Sequence, residues 1–533
     1  MSPGKAISDL KRIAPPLLAV GLTLVLGRLL WIIFQQMSAH AFIPDEIMHL
    51  QVAVQSSCRK FISIFRAHAH PPGFFIILRA WTLLWGFEEG KVRALSLLFW
   101  LGSIPLFYSY VRTFSDRCTA AVAAIILMFP LRFLFLGMQL RGYTALVFFI
   151  ITALHARENF WNGKKTKDTL VYGVAMTLMM SIHYSGLLVA ASLIGLDLVE
   201  KDLRKDKALL RRWLAVIIPG WTLMGVVCFK HLRLLAGHRH WASKDYLSAF
   251  YFDPQLESIF SFWWRSTQGW FEYSEILPKT GFVMGPLFIV GLFALKERTN
   301  SLKRPMLYLL PFLVSAASAA LKILPYGGSR HSVYLLPFTL VPCAFGLRWC
   351  YARLSAVSDV AAKTACAALL LLNFTFLWNT VDRIYGYRFE PAAQENPSVV
   401  RASVTGLGTE VAPQEVIYLD GLNYWSFLYY SSLATDLEKK LLPLGQGSFA
   451  ESQTKLLPCG LKLSPPLELS RYFLSEEKNL SSVRIFELKN AACSFQPQKL
   501  RALLDSGLAE VTESGPVRKI KINLASARAA LSP

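Results

Sequence analysis

The chain has 533 residues, of which 53% are hydrophobic and only 17% are charged. This composition excludes a single soluble core and fits a protein with several membrane spans. The net charge of +21 does not indicate a nucleic-acid partner, because the Lys and Arg residues stand in short clusters between apolar runs and not on one continuous face.

Apolar runs along the chain predict about eleven membrane crossings. The first run, 15–34, is longer than the apolar core of a signal peptide, about 7–15 residues, so a retained anchor is predicted. The tripeptide Ala39-His40-Ala41 resembles a signal-peptide cleavage site, so removal of the first run by cleavage is the alternative. The later crossings are predicted at 92–111, 119–136, 140–156, 170–182, 186–199, 213–229, 281–295, 305–323, 332–347 and 361–378.

The apolar segment 71–86 decides on which side of the membrane every later loop lies. It contains Arg79 and opens on Pro71-Pro72-Gly73, so it is predicted to lie at the outer surface without crossing. Four basic loops then share the cytoplasmic side with the basic N-terminus, as the positive-inside rule requires. These loops are 112–117, 157–167, 201–212 and 296–304.

A polar tripeptide, His183-Tyr184-Ser185, interrupts the apolar run 170–199. Because both flanks of this run are basic, an even number of crossings is required and a hairpin is predicted. Each arm is shorter than the ~20 residues of a full crossing, so the turn is expected below the outer surface, in a water-filled cavity.

Two domains are predicted. Residues 1–380 form a transmembrane domain with its first outward loop at 35–91, and residues 381–533 form a soluble domain. The first domain has no internal repeat, which argues against the inverted-repeat architecture of transporters.

The soluble domain mixes strand and helix patterns. Residues 415–420 and 482–488 are typical of strands and 424–434 of a helix, which predicts a small α/β domain. Cys459 and Cys493 form a disulfide candidate if this domain is exported.

The first outward loop carries two carboxylates, Asp45 and Glu46, on a face where acidic residues are scarce. A carboxylate at the membrane surface, followed by the amphipathic stretch 47–65, is well placed to accept a proton from an incoming hydroxyl. The alternative is structural, because both residues fall in a predicted first helical turn, where negative charge is favourable. Both interpretations stay open from the residues alone.

His68 and His70 follow in the same loop. Two histidines at this spacing suggest a metal site, but metal sites need three or four ligands, and the nearest carboxylates are distant in sequence. The sequence therefore predicts no metal and no other cofactor. A polar turn made rigid by Pro71 and Pro72 is the preferred interpretation.

Two helix starts on the outward face carry cations. Arg141 precedes the fourth predicted span, and Gly142 allows a ligand to approach the backbone. Segment 326–331 opens the tenth span, where glycines, Arg330 and His331 at a helix N-terminus are the components of a phosphate site. The alternative is that both arginines extend to lipid headgroups.

Together these residues suit the transfer of a group from a donor whose leaving group is a phosphate. The carboxylate would take the proton of the acceptor, and the cations would stabilise the leaving phosphate. The donor is expected in the membrane, because the cytoplasmic side carries no P-loop or Gly-rich strand–turn–helix segment. Four further outward residues are assigned to substrate binding: His70, Tyr143, His183 and Tyr184.

The order and placement of these motifs resemble the GT-C superfamily of integral membrane glycosyltransferases, in particular its bacterial family 39-like branch, which includes protein O-mannosyltransferases and the lipid A aminoarabinose transferase. The resemblance covers about the first 350 residues. The matching segments are Asp45-Glu46, His70-Pro71-Pro72, Arg93-Ala94-Leu95-Ser96, Gln139-Leu140-Arg141-Gly142-Tyr143, His183-Tyr184-Ser185-Gly186 and Gly328-Ser329-Arg330-His331.

The resemblance implies an α-helical polytopic GT-C fold in the bacterial inner membrane, with the C-terminal domain in the periplasm. It implies inverting transfer of a sugar from a polyprenyl-phosphate-linked donor to a periplasmic hydroxyl of a glycan, lipid or protein. By position in the family, Asp45 would be the base or the residue that anchors the acceptor, with Glu46 beside it. Arg141, Arg330 and His331 hold the donor phosphate. Membrane lipids are the other expected partners.

Two other functions stay open. A transporter or flippase of an anionic lipid-linked substrate could use the same arginines, but it needs charged residues along a pathway on both sides of the membrane. A ligase that joins a lipid-linked polymer to an acceptor would share the donor chemistry.

Overall fold

The computed structural model falls into two units. The mixed unit comprises Met1–Phe61, Gly86–Lys91 and Thr380–Pro533, and the helical unit comprises Ile62–Trp85 and Val92–Asn379. The described residues are 27–40, 42–53, 59, 61–62, 68–163, 165–234, 247–275, 280–381, 416–419, 454–456, 482–488, 501–502, 504–514 and 517–531.

Helices dominate the described chain up to residue 381, because a helix satisfies its own backbone hydrogen bonds where lipid offers none. In chain order they are α1 (27–39), α2 (Pro44–Ala53), α3 (Gly73–Trp85), α4 (Glu89–Arg112), α5 (Arg117–Met128), α6 (Leu131–Gly137), α7 (Tyr143–Gly163), α8 (Thr166–Ile182), α9 (Ser185–Leu198), α10 (Lys201–Lys205), α11 (Lys207–Leu234), α12 (Ile259–Tyr273), α13 (Gly281–Thr299), α14 (Lys303–Ala320), α15 (Leu336–Val357) and α16 (Asp359–Val381). Short 3₁₀ helices lie at Ser248–Phe250 and Arg330–Leu335.

Each predicted span from 92–111 onward coincides with a helix or, for 119–136, with the pair α5 and α6. Among the described residues, three helices are long and apolar enough to cross a membrane, or four if that pair forms one broken span. The three are α4, Lys207–His231 in α11, and Arg330–Val357. The count of eleven crossings stays a prediction.

The span predicted at 119–136 is broken, since α5 and α6 are bent by 69° at Phe129-Pro130. Proline has no N–H and its ring clashes with the preceding turn, which favours a kink or break of the helix at Pro130. The hairpin predicted at 183–185 is present, with α8 ending at Ile182 and α9 beginning at Ser185.

The four basic loops meet at one end of the helical unit, as predicted. Ion pairs join them: Arg298 to Asp116 at 3.3 Å, Arg304 to Glu158 at 2.5 and 2.9 Å, and Lys303 to Glu200 at 2.5 Å. We call this the basic end. The opposite end, at the start of α7, α9 and α15, carries the polar motifs.

The described part of the C-terminal region forms a five-stranded sheet in the order β2-β1-β3-β5-β4. Its parallel half is β1 (Val416–Leu419), β2 (Thr454–Leu456) and β3 (Ser482–Leu488). Its antiparallel half adds β4 (Ala509–Ser514) and β5 (Val517–Asn523). Alternate residues of β3 and β5, among them Ile485 and Ile520, are buried.

The sheet confirms the two predicted strands. The predicted helix 424–434 and both Cys459 and Cys493 lie outside the described residues. The division of the chain at 380, and the periplasmic placement of the second domain, stay predictions.

Candidate active site

Four aromatic rings meet at the end of the helical unit opposite the basic end. Tyr143 lies at their centre, with ring centroids 5.3 Å from His183, 6.3 Å from His331 and 6.4 Å from His70. His70 also packs against His183 at 5.1 Å. Four positions that are distant in sequence, each singled out from the sequence, therefore form one cluster, which we call the histidine cluster.

Arg141 is buried next to this cluster, and its backbone is held by α4. The Ser96 hydroxyl donates to the Arg141 carbonyl oxygen at 3.0 Å and lies 3.2 Å from the Arg141 N–H. Thr144 Oγ1 in turn donates to the Ser96 carbonyl oxygen at 2.9 Å. Both Ser96 and Arg141 are buried, so these bonds satisfy backbone groups of the non-helical turn between α6 and α7 that water does not reach.

The turn that carries Arg330 and His331 is fixed by α12. Gly327 has a φ of +139°, which favours glycine, and its N–H donates to Ser332 Oγ at 3.1 Å. A Cβ added at Gly328 would lie 2.5 Å from the Gly269 carbonyl oxygen, so α12 and the turn touch through their backbones. The helix that follows begins at Arg330, as the sequence predicted.

Positive charge concentrates around His331. Arg330, His183 and Arg141 all lie within electrostatic range of its ring. The three residues assigned to the donor phosphate thus gather in one place, at the N-terminus of the 3₁₀ and α-helical segment that begins at Arg330. Such a helix end favours an anion, because its backbone N–H groups and its dipole both point there.

The histidine cluster contains buried polar atoms that no described residue satisfies. Tyr143 Oη and His331 Nδ1 have no hydrogen-bond partner within the described part of the chain. Buried polar groups in folded proteins are almost always hydrogen-bonded. These atoms therefore indicate a polar ligand at this position.

The hairpin turn directs its two residues to different neighbours. His183 Nδ1 lies 2.8 Å from Ser185 Oγ and accepts from the Ser185 N–H at 3.2 Å, while the ring packs in the histidine cluster. Tyr184, by contrast, hydrogen-bonds through Oη to His231 of α11. The described contacts do not bring Tyr184 into the histidine cluster, and its role in substrate binding stays a prediction.

His68 and His70 do not act as a pair. The His68 ring packs edge-on against Phe75 at 5.1 Å, whereas His70 packs against His183 and Tyr143. Within the described residues, no group of three or more His, Cys, Asp or Glu is arranged to hold a metal ion. Metal independence stays a prediction.

Asp45 and Glu46 open α2 in the mixed unit and have different surroundings. Glu46 is fully buried, and its Oε2 accepts from the Ile43 N–H at 3.0 Å, the N3-to-N-cap bond of a capping box. Asp45 is half-buried, and its carbonyl oxygen accepts from His49 Nδ1 at 2.7 Å. The structural interpretation therefore fits Glu46, and Asp45 remains the better candidate for a base.

The sequence interpretation gave no role to two groups that the structure places near the site. Ser96 lies in the segment 93–96, which matches the GT-C pattern but has no assigned role. Arg132 lies in α6, inside a predicted span, with its guanidinium 4.7 Å from the centre of the Tyr273 ring. An arginine within an apolar span is a signal of function, which could have found Arg132.

Known proteins similar to this chain are found both by a family model and among solved structures. Residues 69–224 match the dolichyl-phosphate-mannose-protein mannosyltransferase family. ArnT from Cupriavidus metallidurans in the apo state has a similar structure, with a TM-score of 0.55 and 15% identity over 96% of this chain and 99% of ArnT. The chain has the GT-C fold. The predicted resemblance to the GT-C superfamily is thus confirmed at the level of the fold.

Two further solved structures are similar to this GT-C chain. ArnT from Cupriavidus metallidurans bound to undecaprenyl phosphate has a TM-score of 0.54 and 13% identity over 95% of this chain and 98% of ArnT. The apo oligosaccharyltransferase from Archaeoglobus fulgidus has a TM-score of 0.49 and 11% identity over 86% of this chain and 69% of its own. No curated protein sequence matches the chain.

Proposed function

We propose that this GT-C chain is an inverting glycosyltransferase that moves a sugar from a polyprenyl-phosphate-linked donor to a hydroxyl acceptor outside the cytoplasm. The observation that carries the proposal is the histidine cluster with Arg141 and Arg330 beside it. A buried cationic site with unsatisfied polar atoms suits an anionic group that enters from the membrane.

The donor phosphate would contact Arg141, Arg330 and His331. Charge builds up on this phosphate as its bond to the sugar breaks, so fixed cations and helix N–H groups stabilise the transition state more than the ground state. His70, Tyr143 and His183 would supply hydrogen bonds at the same place. The ArnT structure with undecaprenyl phosphate supports a polyprenyl phosphate as the carrier.

Asp45 would be the base. The acceptor oxygen attacks the anomeric carbon, the bond from that carbon to the phosphate oxygen breaks, and the acceptor proton passes to the Asp45 carboxylate. One displacement inverts the anomeric centre. Polyprenyl phosphate leaves, and no general acid is needed because phosphate is stable as an anion.

The proposal places the protein in the bacterial inner membrane, with the histidine cluster and the C-terminal domain on the periplasmic side. The basic end would then face the cytoplasm, in agreement with the positive-inside rule. The sugar and the acceptor follow from neither the sequence nor the fold, since related GT-C folds serve different acceptors.

Mass spectrometry of lipid and envelope fractions, from cells with and without the gene, would identify sugar and acceptor together. Asp45→Asn should then lower the turnover of that product about 10²–10⁴-fold, the usual contribution of a general base. Binding of undecaprenyl phosphate to the purified variant should stay unchanged, because the carboxylate acts on the acceptor.

Glu46→Gln is the matched control, since it changes the neighbouring carboxylate that caps α2. We expect a less stable protein whose folded fraction still transfers sugar. Full activity of Asp45→Asn would remove the base from the proposal. Translocation of a lipid-linked sugar without transfer would favour the flippase in place of the enzyme.

A further inference from the structure

A cavity of about 370 Å³ lies beside the turn that carries Arg330. One wall is the polar face of α12, and Gly327 and Gly328 form part of the lining. The volume lies within the range of about 300–1,000 Å³ that is typical of small-molecule sites. None of the four rings of the histidine cluster lines it.

Two arginines and one glutamate line this cavity, and one of the arginines is paired with Glu257, which lies outside the lining. Arg265 donates to both carboxylate oxygens of Glu257, at 2.6 and 3.3 Å, and to the Ala249 carbonyl oxygen at 2.9 Å. The other two charged lining residues, Arg132 and Glu272, have opposite signs. A second phosphate site would need an excess of positive charge, so the cavity suits a neutral polar ligand.

The uncharged lining groups suit a ring with many hydroxyls. Ser266 is 2% exposed, and its Oγ has no hydrogen-bond partner among the described residues, which indicates a ligand atom there. Gln268 donates to Glu272 at 3.1 Å, so amide and carboxylate present both donors and acceptors. Phe250 adds an apolar surface. A sugar ring offers hydroxyls that donate and accept, together with an apolar face.

The cavity adjoins the proposed phosphate contacts through one short turn. Gly328, which lines the cavity, touches the backbone of Gly269 and precedes Arg330 by two residues. At the end of α12, Tyr273 stacks under Arg132 and lies within electrostatic range of Arg330. A sugar joined to a phosphate by a single oxygen could therefore occupy the cavity while the phosphate contacts Arg330.

We propose that this cavity is a glycosyl subsite, which holds a sugar ring of the donor or of the acceptor through Ser266, Gln268 and Glu272. The proposal rests on the proposed function and specifies which part of a substrate α12 recognises. Donor and acceptor sugars share this chemistry, and the experiment separates them.

The test is protection of an introduced cysteine from a maleimide in the purified full chain, with each labelled peptide quantified by mass spectrometry. Gln268→Cys places the thiol in the cavity, and Ser261→Cys, on an exposed position of the same helix away from the cavity, is the control. The probes are bare undecaprenyl phosphate, undecaprenyl phosphate carrying mannose, glucose or galactose, and the methyl glycosides of these sugars.

A probe at about ten times its Kd should slow labelling of Gln268→Cys about tenfold and leave Ser261→Cys unchanged. Protection by a sugar-bearing carrier but not by the bare carrier assigns the subsite to the donor sugar. Protection by a methyl glycoside in the presence of the bare carrier assigns it to the acceptor sugar. Equal protection by the bare carrier, or no protection by any probe, overturns the subsite.

Affinity provides the second measurement. Ser266→Ala should weaken binding of the protecting probe about threefold to tenfold, as for one neutral hydrogen bond, while Ser261→Ala leaves it unchanged. Affinity for bare undecaprenyl phosphate should be the same in all of these variants. If wild-type protein does not bind bare undecaprenyl phosphate at all, the proposed function fails, whereas protection by a methyl glycoside would still assign the cavity to a sugar.

Discussion

Polar side chains are buried at both ends of the helical unit, but the two ends differ in how these side chains are hydrogen-bonded. At the basic end, fully buried Asp197 accepts four hydrogen bonds, from Arg157 at 2.8 Å, Tyr172 at 2.9 Å, Trp161 at 3.1 Å and Trp213 at 3.2 Å. At the other end, Tyr143 and His331 keep polar atoms that no described residue satisfies. A satisfied network holds helices together, and an unsatisfied one indicates a ligand.

The ends are joined by the same helices. Tyr143 begins α7 and Arg157 lies fourteen residues later, about 21 Å along the helix axis. Ser185 begins α9 and Asp197 lies in its last turn. Substitutions along one helix can therefore separate stability at the basic end from ligand binding at the histidine cluster.

The largest effect is expected from Asp197→Ala. It leaves the Arg157 charge and three other donors buried without their acceptor, which should destabilise the protein by about 3–5 kcal/mol. Thermal unfolding of the purified protein in detergent measures this loss. Asp359→Ala, which removes only an exposed ion pair with Lys363, should change the midpoint little. Equal midpoints for both variants would contradict the structural role of the Asp197 network.

Arg141→Ala should affect binding and spare the fold. Loss of a charged hydrogen-bond donor should weaken undecaprenyl phosphate binding by about 1.5–3 kcal/mol. Arg141→Lys keeps the charge but not the planar guanidinium, so it should recover only part of the affinity. A titration with undecaprenyl phosphate in nanodiscs measures both. An unchanged affinity would remove Arg141 from the phosphate site.

The sequence predicted the parts of this architecture that follow from hydropathy and short motifs. Span positions could be predicted because about 20 apolar residues are needed to cross lipid. The positive-inside rule assigned the basic loops to the cytoplasmic side of the membrane. The loops with the histidines and arginines of the site then had to share the opposite side. The resemblance to GT-C enzymes added the order of the motifs.

Side-chain direction could not be predicted in the same way. Tyr184 and His183 are adjacent, yet Tyr184 bonds to His231 and His183 packs on Tyr143, because packing of α11 decides the rotamers. The sequence gives Glu46 and Asp45 the same two interpretations, and only the bond from the Ile43 N–H to Glu46 separates them. The cavity at α12 depends on a contact between Gly269 and Gly328, which are distant in sequence.

Ser96→Ala tests whether the hydrogen bonds between Ser96 Oγ and the Arg141 backbone matter for phosphate binding. The hydroxyl is replaced by hydrogen, so the buried Arg141 carbonyl loses a donor, at a cost of about 1–3 kcal/mol. We expect weaker undecaprenyl phosphate binding through a displaced Arg141. Ser96→Thr keeps the hydroxyl and should restore affinity. A variant that loses stability but keeps full affinity would limit Ser96 to a structural role.

A pair of tyrosines provides a matched test of the two ends. Tyr172→Phe removes a bond to Asp197 and should lower stability by about 0.5–1.5 kcal/mol, while Tyr143→Phe removes a hydroxyl without a described partner and should leave stability unchanged. Transfer activity should fall in Tyr143→Phe and not in Tyr172→Phe. The reverse pattern would mean that the unsatisfied hydroxyl does not indicate a ligand.

The smallest effect is expected at Asp116, on the surface of the basic end. Burial acts to raise the pKa of this carboxyl, but hydrogen bonds from Thr119 and Arg298 outweigh it and lower the pKa to about 2. Because the folded pKa lies below its ordinary value of 3.8, the contribution to stability is complete above pH 3.8 and is lost as the pH falls through 2.

Asp116→Asn should therefore reduce stability at neutral pH and converge with the wild type in strong acid. Unfolding midpoints of both proteins between pH 7 and 2 measure this difference. A constant difference across that range would show that the carboxylate charge does not stabilise the loop, and that the cap to Thr119 acts through its oxygen alone. The stability of the basic end would then depend on hydrogen-bond geometry more than on charge.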